Sequence, residues 1–114
     1  MTDTDDLLRH LAEEEKILVA RYERLRRQAQ QMYTRRQGVR EAAGSVFANC
    51  PSSERLPLWT RNSLSATEAR AEREYQEAME AETAALADLS RFVDKKTAML
   101  SDADADRAAG TVTE

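Results

Sequence analysis

From Leu11 onward an apolar residue returns at every seventh position: Leu11, Leu18, Leu25, Met32, Val39 and Val46. A companion row, three residues ahead of each, reads Leu8, Glu15, Tyr22, Ala29, Arg36 and Ala43, with two charged defects. Alternating steps of three and four keep both rows on one helix face, a seam for a partner helix. The repeat argues against a strand-based fold. Three glycines and two prolines in 114 residues, too few for repeated hairpin turns, agree with it. The first helix is expected over about 4–48, with Thr4 as N-cap and Asp5 and Asp6 in the first turn, where the helix dipole favours negative charge. Gly38 and Gly44 each cost about 1 kcal/mol relative to alanine in a helix interior. A break near Gly38 is therefore allowed, but Val39, Ala43 and Val46 stay in phase and favour continuation.

Pro51 and Pro57 suit no helix interior, so residues 49–63 read as a connector. Ser65-Ala66-Thr67-Glu68 has the form of a capping box and predicts a second helix over about 65–100, uninterrupted by Gly or Pro. Within it Met79, Leu86, Val93 and Leu100 form one row and Tyr75, Glu82 and Leu89 a neighbouring one. Ala78, Ala85, Phe92 and Met99 widen the stripe. Lys95 and Lys96 sit near the expected end, where the dipole favours cations. Residues 101–114 are expected to form a short helix capped by Ser101 to Asp104 and closed by Gly110, or a tail, with 111–114 frayed. The expected fold is all-α: a single domain over 1–114, an antiparallel coiled-coil helical hairpin, made a three-helix bundle by the short C-terminal helix.

Charge supports the pairing. The net charge is only -4, but residues 16–40 carry eight basic side chains against Glu23 alone. Residues 64–94 carry eight acidic ones against three arginines. An antiparallel turn would bring residue i near a residue numbered roughly 112 minus i and set the basic segment against the acidic one. Arg21, Arg26, Arg35 and Arg40 flank the seam and can be neutralised there. Lys16, Arg24 and Arg27 point away from it. They read either as an ordinary solvated face or as a basic stripe for an acidic protein partner. Leu56-Pro57-Leu58-Trp59 is either a lid over the open end of the helix pair or an exposed anchor. The candidate partner-binding residues are thus Lys16, Arg24, Arg27 and Arg35 on the first helix, with Leu58 and Trp59.

Chemistry-bearing constellations are missing from the sequence. His10 is the only histidine, and although Glu13 and Glu14 lie a turn away, no second His or Cys joins them. Cys50 is alone, which excludes an intramolecular disulfide framework, and reads as a small semi-buried residue. The Asp102, Asp104, Asp106 alternation lacks the glycine and terminal glutamate of a calcium loop. No phosphate-cradling glycine motif occurs. These absences predict no catalytic residue, no cofactor and no metal, hence no enzyme. The acidic balance, and tyrosines 22 and 33 set in or beside the seam, argue against nucleic acid. No apolar run exceeds four residues and the N-terminus has no signal-peptide pattern, so no membrane contact and a cytoplasmic location are expected.

Two stretches resemble a known family. Leu8-Arg9-His10-Leu11-Ala12-Glu13-Glu14, opening a basic, Gln-rich helix, is similar to the start of the first helix of tubulin-binding cofactor A, the tubulin-specific chaperone A family. Ala84-Ala85-Leu86-Ala87-Asp88-Leu89-Ser90-Arg91-Phe92-Val93 resembles the end of that family's second helix. The chain departs from the family in its long connector and in having no proline within the second helix. The resemblance implies a three-helix bundle, a cytoskeleton-associated location, and capture of β-tubulin by helical surface. The expected function is a non-enzymatic cytosolic chaperone or binding protein, monomeric rather than homodimeric. The alternative is a structural coiled-coil subunit of a larger assembly such as a tether, kinetochore or secretion complex, in which Glu15 and Arg36 set register with another chain.

Overall fold

The computed structural model describes residues 3–50 and 56–112, the side chains of 107–112 excepted. Among the described residues there are two helices and no strand: α1, Asp3–Ala48, and α2, Leu58–Val112. The chain is all-α, as its periodicity requires. No helix is long and apolar enough to cross a membrane among the described residues.

α1 starts at Asp3, so Thr4 lies inside its first turn rather than capping it, with Asp3, Asp5 and Asp6 facing the positive end of the dipole. The helix passes through Gly38 and Gly44 with no positive φ, and a Cβ at either would meet nothing within 4 Å. Neither glycine serves a close approach, and the in-phase seam residues around them carry the helix onward. At its end Asn49 N–H donates to Ser45 O at 3.1 Å and Cys50 N–H to Phe47 O at 3.2 Å.

The second helix corrects the sequence reading at both ends. It begins at Leu58, not at Ser65, and the connector is shortened accordingly; Pro51, Ser52, Ser53 and Glu54 lie outside the described residues. Pro57 supplies the start: its carbonyl accepts from Thr60 N–H at 3.0 Å and Arg61 N–H at 3.1 Å. Proline has no N–H to leave unpaired and a φ already suited to a helix entrance. Ser65 is therefore mid-helix, and the Thr67 hydroxyl donates back to Ser63 O at 2.8 Å instead of joining a capping box. At the other end α2 continues through Ser101 and Asp104 to Val112, so no separate third helix exists among the described residues. Met99 and Ala103 remain half-buried, carrying the heptad phase of the buried row and its companion past the expected stop. Thr111 is likewise helical, and 113–114 lie outside the described residues.

By its contacts the chain divides into two compact units, Met1–Glu23 with Thr83–Glu114 and Arg24–Glu82. In the first, the terminal unit, Lys96 Nζ donates to Glu15 Oε2 at 2.6 Å and Arg21 lies 3.8 Å from Asp88. In the second, the hairpin unit, Arg35 meets Glu74 at 2.8 Å, while Arg36 and Arg40 meet Glu72 at 3.1 and 3.2 Å. Within each unit the partner number falls as the α1 number rises, which makes each an antiparallel helix pair. Each pairing falls within about one helical turn of the register expected from charge.

The seam on α1 is the expected one: Leu11, Ala29 and Ala43 are buried and Leu18, Tyr22, Leu25, Met32 and Val39 half-buried. On α2 the phase is shifted. The buried row is Ala71, Ala78, Ala85 and Phe92, whereas Met79, Leu86 and Val93, expected to lead the seam, are exposed. Small residues let the helix axes come close, and a two-helix seam has room for two rows per helix. The Met79–Leu86–Val93 row, four residues beyond one of them, is left on the flank.

Candidate functional site

The densest polar cluster lies in the hairpin unit, where α1 brings Tyr33, Arg36 and Arg40 opposite Glu72, Tyr75 and Gln76 of α2. Arg36 occupies a seam position, and its side chain retains only 15% of its exposure. Its guanidinium lies over the Tyr75 ring at 4.1 Å and the Tyr33 ring at 5.3 Å, and the two rings meet edge to face at 5.8 Å. Cation–π attraction thus replaces part of the hydration that the arginine gives up. Nη1 of Arg36 donates to both carboxylate oxygens of Glu72, at 3.4 and 3.1 Å. Nε has no hydrogen-bond partner among the described residues.

Glu72 collects the remaining donors. Gln76 Nε2 donates to Oε1 at 3.0 Å and Arg40 Nη2 to Oε2 at 3.2 Å. The hydrogen bond from Gln76 is the largest influence on its carboxyl; desolvation opposes it, and the hydrogen bond and charge of Arg36 with the charge of Arg40 leave the group below the usual carboxylate range. A folded value below the unfolded one gives stability that is present above the ordinary carboxylate range and lost as pH falls through the lowered value. Thermal melts of wild type and Glu72→Gln should therefore differ at neutral pH and converge as the pH falls below the ordinary carboxylate range. A gap that stays constant with pH would show that the charge of Glu72 contributes nothing.

The sequence marked Arg36 and Glu15 as charged defects with another chain in view. Both are satisfied inside this chain, Arg36 by Glu72 and Glu15 by Lys96. Arg35, set among the partner-binding candidates, is paired with Glu74 on the opposite flank of the seam. Lys16, Arg24 and Arg27 are each exposed, with no ion pair among the described residues. Leu58 and Trp59 form the first turn of α2 at 64% and 74% exposure, so the tryptophan is not a lid. His10 is exposed, and no group of three His, Cys, Asp or Glu side chains is arranged around a metal position among the described residues.

No protein-family model, curated protein or solved structure matches this chain.

What the arrangement offers chemically is surface. One flank of the hairpin unit's seam is a groove of about 380 Å³ lined by Arg26, Ala29, Tyr33, Tyr75, Met79 and Glu82, among others. It was missed in the sequence because its members fall on two helices. The signal that could have found it is the set of positions four residues after each member of the companion row on α1, where Arg26, Tyr33, Arg40 and Phe47 fall.

Proposed function

We propose that this chain is a non-enzymatic structural subunit of a larger protein assembly, held in place by apolar surface that its own two helices do not cover. The exposure of Leu58 and Trp59 carries this reading. A tryptophan on the first turn of a helix, with a leucine beside it, is the kind of residue that dominates interface energetics. Meanwhile the only buried side chains larger than alanine among the described residues are Leu11 and Phe92. In native extracts the chain should elute in gel filtration far above its 12.9 kDa mass. Leu58→Ala with Trp59→Ala should release it to the free form without loss of helix signal. Elution of the wild-type chain in the free form would refute the reading.

A second reading is favoured by Lys16, Arg24 and Arg27, whose charge no described side chain neutralises. They suit capture of an acidic protein, and the resemblance to tubulin-binding cofactor A makes β-tubulin the candidate. Retention of β-tubulin by the purified chain, weakened when all three are changed to Glu, would support it. Failure of the wild type to retain tubulin would remove it.

A further inference from the structure

The two flanks of the hairpin unit's seam differ in kind. One is a groove of about 330 Å³ whose charged side chains Arg35 and Glu74 are already paired with each other within the chain. The other holds Tyr33 at 46% exposure and Met79 at 36%, side by side along its own groove. The walls of that groove carry opposite charge. Arg26 stands on the α1 wall and Glu82 on the α2 wall, and neither has an ion pair among the described residues. Behind Arg26 the outer face of α1 adds Arg27, and behind Glu82 the outer face of α2 adds Glu80. An apolar floor between a positive and a negative wall is self-complementary: turned over about an axis along the helices, the surface presents each wall to its opposite.

We infer that this flank binds a second copy of the same chain, the two related by a two-fold axis parallel to the helices. α1 of each copy then lies on α2 of the other. Because Arg26 and Glu82 line the same groove, this rotation brings Arg26 onto Glu82 of the second copy, and the reverse, while Tyr33 covers Met79 of the second copy. The recognition repeats what the chain does internally, where Arg35, Arg36 and Arg40 of the same helix segment meet Glu72 and Glu74. Such an interface is isologous and closes at two copies. It departs from the monomer expected from sequence, because the Met79 position is outside the seam. The inference names one partner for the subunit reading and rests on it in requiring that the exposed apolar flank be covered.

Sedimentation equilibrium on the purified full chain tests it. Wild type should approach twice 12.9 kDa as concentration rises. Arg26→Glu and Glu82→Arg should each weaken self-association about tenfold or more, since each places like charges together at both symmetric contacts. An equimolar mixture of the two variants should recover the dimer, because each then supplies what the other lacks. Circular dichroism confirms that each variant is helical before it is weighed. A wild type that stays monomeric, or that grows beyond two copies, overturns the inference. So do single variants that associate normally, or a mixture that does not recover, which would place the effect within one chain. A chain monomeric when pure yet heavy in native extract would refute the dimer and leave the subunit reading standing. A dimer that runs free in extract would do the reverse.

Discussion

Truncating Phe92 to alanine is expected to cost about 3 kcal/mol, the largest loss from any single side chain in the terminal unit. Phe92 is 5% exposed, and apart from Leu11 it is the only buried residue larger than alanine among the described residues. The rest of the buried row on α2 is alanine, which brings helices together but removes little apolar area from water. A loss of that size is a large share of the roughly 5–15 kcal/mol that holds a domain of ordinary stability. Urea titration followed by helix circular dichroism should show a clear drop in midpoint. Leu86→Ala is the control: at 45% exposure it should cost less than about 1 kcal/mol in the isolated chain. The two side chains are six residues apart on one helix, so propensity changes are comparable and the difference reports the seam. If Leu86→Ala proved the more damaging, the buried row would be the one led by Met79, Leu86 and Val93 after all.

That comparison also shows where the sequence was legible. On α1 the two heptad rows could be read outright, because large apolar residues fill one row without interruption from Leu11 to Val46. The glycines did not interrupt, since helix propensity acts one residue at a time while the seam acts along the whole face. On α2 size misled. Methionine, leucine and valine at seven-residue spacing look like a core row, and alanines look like filler. In a close-packed pair the order is reversed, and the alanine row goes inside. The start of α2 was misplaced for a related reason: Ser65 to Glu68 fit a capping box, but nothing local says whether a helix has already begun. Pro57 had begun it. The Arg36 cluster was legible only as a defect, because stacking on Tyr75 depends on the register of one helix against the other, which charge had fixed only to within about a turn.

Arg36 is the position where charge and shape can be separated. Arg36→Ala should destabilise the hairpin unit by about 2 kcal/mol, with loss of both tyrosine contacts and of the hydrogen bonds to Glu72. The cost stays below the ~3–5 kcal/mol of breaking a fully buried pair, because Arg40 and Gln76 still serve Glu72. Arg36→Met should behave differently. The thioether fills most of the same volume between the rings, makes favourable sulfur–aromatic contacts, and removes the desolvated Nε that has no partner. Its stability should lie within about 1 kcal/mol of wild type, because the Glu72 it leaves behind is in contact with water and keeps Arg40 and Gln76. The charge would then be kept for register: a slip of one heptad would put Met79 or Ser65 in the place of Glu72 and take Tyr75 away from the guanidinium. Urea melts of the two variants measure this separation directly. A methionine variant as damaged as the alanine one would show that the charge, not the volume, holds the tyrosines in place. A silent alanine variant would mean that the cluster adds nothing to the fold.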